Sequence, residues 1–78
     1  MTKELTLLWD RMLPITKTKA LSALVADSSF SVSNIDYARR KWILGDKMPK
    51  DKVSEVKIIF RMALFEEFVE TKTILETV

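Results

Sequence analysis

Cysteine and histidine are both missing from the 78 residues, and glycine occurs once. Without cysteine there is no disulfide and no thiolate metal site. Without histidine the commonest metal ligand and the commonest general base go together. The lone Gly45 excludes the glycine-rich loops that cradle phosphates, which need several glycines. Proline is limited to Pro14 and Pro49, so the chain has few imposed breaks. No apolar run approaches the length of a membrane span. The richest, 58–65, is interrupted by Arg61 and followed by Glu66 and Glu67. The start does not read as a signal peptide, because Glu4 and Asp10 stand among its leucines. These absences lead us to expect a soluble cytoplasmic protein that binds no cofactor and no metal and is not an enzyme.

What is present is apolar and charged in the proportions of a folded domain. Hydrophobic residues make up 47% of the chain, enough to exclude disorder. The length fits a single domain over residues 1–78, near the lower limit for a self-sufficient core, so stability must come from packing alone. The net charge is only +2, but the charges are sorted along the chain. Residues 37–61 carry Arg39, Arg40, Lys41, Lys47, Lys50, Lys52, Lys57 and Arg61 against Asp46, Asp51 and Glu55. Beyond them Glu66, Glu67, Glu70 and Glu76 face a single Lys72.

Apolar spacing predicts helices throughout. Thr2 can cap a first helix carrying Leu5, Leu7, Leu8, Trp9, Met12 and Leu13, with Pro14 stopping it and Trp9 in the core. Thr16 is the expected cap of a second helix running to about Asp27, with Ala20, Leu21, Ala23, Leu24 and Val25 facing inward. The serine-rich stretch 28–33 reads as a turn pinned by Phe30. Ser33, Asn34, Ile35 and Asp36 fit a capping box with Asp in place of Glu, opening a third helix with Ile35, Ala38, Trp42 and Ile43 at helical spacing. Gly45 is the expected C-terminal cap of that helix, and Pro49 opens the next. From there to the end neither proline nor glycine interrupts the chain. Val53, Val56, Ile59, Phe60, Ala63 and Leu64 recur at three and four, and Phe68, Ile74, Leu75 and Val78 continue the apolar pattern. Unbroken, this helix would span roughly 40 Å. Because 58–65 is apolar on nearly every face, the expectation is burial on more than one side, and a homodimer through the C-terminal helix.

Few constellations suggest chemistry. Glu66 and Glu70 share a helical face, but a solvated acidic surface accounts for them, and the serines have no base beside them. The expected fold class is all-α, a small four- to five-helix domain with a helix-turn-helix-like core and a long C-terminal helix. Residues 21–27, the turn at 28–32 and residues 33–43 have the proportions of that motif. The stretch Gly45, Asp46, Lys47, Met48, Pro49, followed by Val53, Val56 and Ile59, resembles the Cro and cI repressor family, in which a similar turn follows the recognition helix. The resemblance covers about residues 18–60 and places Ser29 at the turn position. It implies a small DNA-binding transcriptional regulator with duplex DNA as partner. Ser31, Ser33, Asn34, Tyr37 and Arg40 would face the groove, with Asp36 able to accept from a cytosine amino group. Lys17, Lys19, Lys41, Lys47 and Lys50 would contact phosphate.

The rival expectation is a small helical protein-binding inhibitor or adaptor that antagonises a larger protein. Its contact surface would be the C-terminal helix, and its sign an exposed stripe of Phe60, Leu64 and Phe68.

Overall fold

Thr2 opens the first helix as its spacing predicts. In the computed structural model, which describes residues 2–77 and their side chains as far as residue 73, the Thr2 hydroxyl oxygen accepts from the Leu5 N–H at 3.2 Å. Helix α1 then runs Lys3–Arg11 and buries Leu5 and Trp9, while Leu7 stays exposed. Leu13, expected on the same stripe, is exposed in the link to the next helix.

Helix α2, Pro14–Ala26, starts two residues before the expected cap at Thr16. The fixed φ of Pro14 suits the first helical position, so the proline that stops α1 also starts α2. Thr16 is inside the helix and only 4% exposed. Ala20, Leu21 and Leu24 are buried, and Val25 is half-buried. Ala23, expected inward, is exposed and lines a groove with Ile59 and Met62. Asp27 caps a single 3-10 turn, Ser28–Phe30, by accepting from the N–H and hydroxyl of Ser29. Phe30 is buried, edge-on to Trp42 at 6.0 Å between ring centroids.

The third helix, α3, begins as an α-helical turn, Ile35–Tyr37, and continues as a π-helical stretch, Ala38–Leu44. Its cap is Asn34 rather than Ser33: the Asn34 side-chain oxygen accepts from the Tyr37 N–H at 2.7 Å. Asn and Ser are near-equal capping residues, so adjacent candidates are separated only by the backbone. The wider π turn sends Ala38, Trp42 and Ile43 all into the core. Gly45 ends the helix, but not in the left-handed conformation expected of it. Its φ is −87°, and Asp46 takes the left-handed position at φ 52°. Glycine is needed for closeness instead, since a Cβ at Gly45 would lie 2.8 Å from the Arg40 carbonyl oxygen and 3.0 Å from that of Lys41. The freed Lys41 carbonyl accepts from the Lys47 N–H at 2.8 Å, closing the turn.

Pro49 precedes a 3-10 turn, Lys50–Lys52, which leads directly into helix α4, Val53–Thr77. At 25 residues α4 is about 37 Å long by the helical rise. It packs on α1 and α2, while α3 packs on α2. Val56 and Phe60 are fully buried, and Val53, Ile59, Ala63 and Leu64 pack partly against them. The Trp9 and Phe60 rings sit 5.7 Å apart at the junction of α1 and α4. Burial on several sides, expected of 58–65, is not found: Ile58, Met62 and Phe65 are each more than half exposed. Val78 lies outside the described residues, and Ile74 and Leu75 outside the described side chains. The fold is all-α, with four helices among the described residues, of which the C-terminal α4 is the longest, and no strand occurs among those residues.

Candidate nucleic-acid interface

The candidate residues fall on α2, on the turn at 27–34, on α3 and on the link that follows it. Ser31 rather than Ser29 holds the left-handed conformation, at φ 54° and ψ 35°, in which a glycine would be unstrained, while Ser29 lies inside the 3-10 turn. Ser33 and Asn34 follow, exposed, at the entrance to α3. Asn34 spends its side-chain oxygen on the cap, so its NH2 group is what it presents outward. Tyr37 is exposed one turn further on. Arg40 is exposed and held by Asp36, whose carboxylate accepts from the guanidinium Nε at 3.2 Å. Lys41, Lys47 and Lys50 are exposed, and Arg39 is half-buried. Among the described residues, Arg39, Lys41, Lys47 and Lys50 have no ion-pair partner.

Lys17 and Lys19 are on α2 and turn toward other elements. The Lys17 ammonium lies over the Trp9 ring, 5.2 Å from its centroid. Lys19 pairs with Glu70 on α4 at 3.5 Å. Ser31, Ser33, Asn34, Tyr37, Arg40, Lys41, Lys47 and Lys50 are each exposed between residues 31 and 50, whereas Lys17 and Lys19 on α2 are engaged by Trp9 and Glu70. Arg39 joins the unpaired cations although the spacing argument did not single it out. Its place in the Arg39, Arg40, Lys41 run was the available signal.

Glu67, Glu70 and Glu4 are engaged away from α3, while Glu66 is exposed. Glu67 reaches back to the start of α2, where one carboxylate oxygen accepts from the Leu13 N–H at 2.7 Å and the Thr16 hydroxyl at 2.8 Å. A carboxylate at that position also meets the positive end of the α2 dipole. It offsets Lys17 and Lys19 near the same helix end. Glu4 on α1 takes Lys57 at 3.0 Å and Arg61 at 2.6 Å. The hydrogen bond from Lys57 and the charges of Lys57 and Arg61 hold the Glu4 carboxyl below its ordinary range. Asp27 is lowered as well, first by the Ser29 hydroxyl and then by the Ser29 N–H. Lys52 is shared between Glu55 at 3.9 Å and the face of Phe30.

No group of three acidic, cysteine or histidine side chains among the described residues could hold a metal ion, and no described helix is long and apolar enough to cross a membrane. The arrangement offers a short polar helix entrance followed by unpaired cations, which suits hydrogen bonding and phosphate attraction. No protein family, no curated protein and no solved structure matches the chain.

Proposed function

We propose that the chain is a small DNA-binding transcriptional regulator of helix-turn-helix type, which lays the start of α3 in the major groove as a homodimer. The observation that carries this reading is the separation of charge. Glu4 pairs with Lys57 and Arg61 of α4, Glu67 and Glu70 engage α2, and the run from Arg39 to Lys50 keeps four cations without an ion-pair partner among the described residues. A folded acidic helix lying along α3 would have cancelled that field. In this reading Arg39, Lys41, Lys47 and Lys50 meet phosphates and set the register. Ser31, Ser33, the Asn34 NH2, Tyr37 and Arg40 meet base edges, and Asp36 accepts from a cytosine amino group once Arg40 turns to a guanine. Lys17 and Lys19 contribute only after leaving Trp9 and Glu70. A cytoplasmic setting and a non-catalytic role go with the reading.

A mobility-shift assay at low salt with random duplex DNA tests it. Retardation that weakens steeply with salt is expected, and none at about 10 µM protein would sink the reading, since non-specific binders are retarded there. Arg40→Ala should weaken binding to a preferred site by roughly 1–3 kcal/mol, whereas Lys47→Ala should weaken all sequences alike and lower the salt slope by about 1.

A second reading, a helical protein antagonist, draws on a different feature. The stripe of Phe60, Leu64 and Phe68 expected for it is not exposed as a unit, because Phe60 is fully buried. The exposed apolar stripe is displaced around the helix to Ile58, Met62, Phe65 and Val69. Absence of DNA retardation promotes this reading.

A further inference from the structure

The displaced stripe on α4 has a periodicity of its own. Ile58, Met62, Phe65 and Val69 are separated by four, three and four residues, the alternation of a heptad seam. All four are exposed, from 42% at Val69 to 67% at Phe65. With Met62 and Val69 at the a positions and Ile58 and Phe65 at d, the buried Val56 and Phe60 fall at b and f, on the opposite side of the helix. One side of α4 therefore serves the chain's own core, and the other is a complete seam without an occupant. Glu55 and Lys72 stand at the next seam positions and bound it at two heptads. Phe68, 64% exposed, flanks it at g, and the groove of Ala23, Ile59 and Met62 continues it toward α2.

We propose that a second copy of this chain covers the seam, its α4 parallel to the first. Charge decides both the occupant and the direction. Arg61 is a g position and Glu66 the e position five residues on, the pair that meets across a parallel two-stranded seam. Two-fold symmetry makes the contact twice, Arg61 of each copy to Glu66 of the other. Arg61 gives one guanidinium nitrogen to Glu4 and keeps others to donate, while Glu66 has no partner within the described chain. An antiparallel pair would set g against g and e against e, facing Arg61 with Phe68 and Glu66 with Ile59, and would form no ion pair. The area suits a modest dimer. Phe65 and Phe68 alone offer on the order of 250 Å² per chain at their exposure, taking ~150–250 Å² for a whole aromatic. With Ile58, Met62 and Val69 added from both copies, the interface approaches the low end of stable ones, near ~1,200 Å² in total. This inference does not depend on DNA binding.

Sedimentation over a micromolar concentration series tests the dimer, and an introduced cysteine tests its direction in a chain that has none of its own. The expected mass is twice the 9.0 kDa of the chain. Val69→Cys should form an intermolecular disulfide on mild oxidation, because like seam positions meet in a parallel pair; in an antiparallel pair Val69 faces Ile58 and the thiols stay apart. Phe65→Glu should return the monomer mass with its helical circular dichroism intact, since Phe65 is outside the core. Glu66→Arg should weaken the dimer several-fold by facing Arg61 with its own sign. A mass of 9.0 kDa throughout the series would overturn the proposal and leave the seam to a different protein. A dimer that excludes the Val69→Cys disulfide, or survives Phe65→Glu, would place the contact elsewhere and overturn it equally.

Discussion

Glu67 offers the most informative single substitution. It is half-buried on α4, yet its carboxylate joins the start of α2 from 54 residues away. Glu67→Ala removes two charge-assisted hydrogen bonds, to the Leu13 N–H and the Thr16 hydroxyl. The first resembles loss of a helix cap, worth about 1 kcal/mol. The second leaves a hydroxyl on a residue only 4% exposed without its acceptor, a further ~1–3 kcal/mol before solvent access to the site reduces it. Together the loss should be about 2 kcal/mol, or roughly 8–16 °C in Tm for a domain of this size. Its neighbours serve as controls on the same helix. Glu66 has no partner within the described chain, and Glu70 makes one exposed pair, so alanine at either should cost no more than ~0.5 kcal/mol. Glu67→Gln keeps an acceptor oxygen without the charge and should fall between. Urea unfolding followed by circular dichroism, at one fixed chain concentration, measures all four. If Glu67→Ala unfolds within 0.5 kcal/mol of Glu66→Ala, the carboxylate does not cap α2 and the reasoning fails.

Three further outcomes are expected. Trp42→Ala should cost about 3–5 kcal/mol, since the ring is buried against Phe30 and the surrounding core cannot fill its volume; a loss below ~1 kcal/mol in urea would show α3 facing another way. Gly45→Ala should destabilise by roughly 1–3 kcal/mol through the clash with the Arg40 and Lys41 carbonyls, whereas Ser31→Gly, which relieves a left-handed residue, should not; the two urea midpoints moving together would refute the distinction. Stability should fall in acid, because Glu4 and Asp27 titrate lower folded than unfolded. Their contribution is complete above the ordinary carboxylate range and is lost as pH drops through the lowered folded values. Glu4→Gln should flatten the acid slope of the urea midpoint, and an unchanged slope would count against the Glu4 pairs.

Local signals in the sequence reached as far as local physics does. Thr2 caps α1, and Trp9, Trp42 and Phe30 are buried, because a cap needs only its own first turn and large aromatics seek the core in most contexts. Thr16 failed as a cap for a non-local reason. Its helix starts at Pro14, and the acceptor serving that end is Glu67, which no window of sequence brings near. The same distance hid the purpose of the acidic cluster. Gly45 was legible as a helix end but not in its reason, since its crowding comes from a π turn that no residue announces. In α4 apolar residues occur on most faces, so periodicity alone could not choose which face the core would take. The choice fell to Val56 and Phe60 and left Ile58, Met62, Phe65 and Val69 outside. Of the candidate interface, the α3 residues were readable from the turn and cap pattern, whereas the engagement of Lys17 by Trp9 and Lys19 by Glu70 required the packed helices.

Charge links the fold to the proposed function in a way that can be separated by experiment. Thirteen cations and eleven acids leave a net charge too small to define a partner. What matters is which cations the fold consumes. Glu4 takes Lys57 and Arg61, Glu70 takes Lys19, and Glu67 takes a helix end that would otherwise attract anions. Those acids act on stability and sit on α1 and α4. Arg39, Lys41, Lys47 and Lys50 take part in no ion pair among the described residues and sit at and beyond α3. The two sets should therefore respond to different assays. Alanine at Lys47 should leave the urea midpoint within ~0.5 kcal/mol of the parent, as surface changes usually do, while lowering the salt slope of any DNA binding. Glu67→Ala should do the reverse, shifting the midpoint while the folded fraction keeps its salt slope. A Lys47→Ala chain that loses stability as Glu67→Ala does would show that the cationic stretch is part of the fold's own electrostatics. The charge separation that supports a DNA-binding face would then have no independent standing.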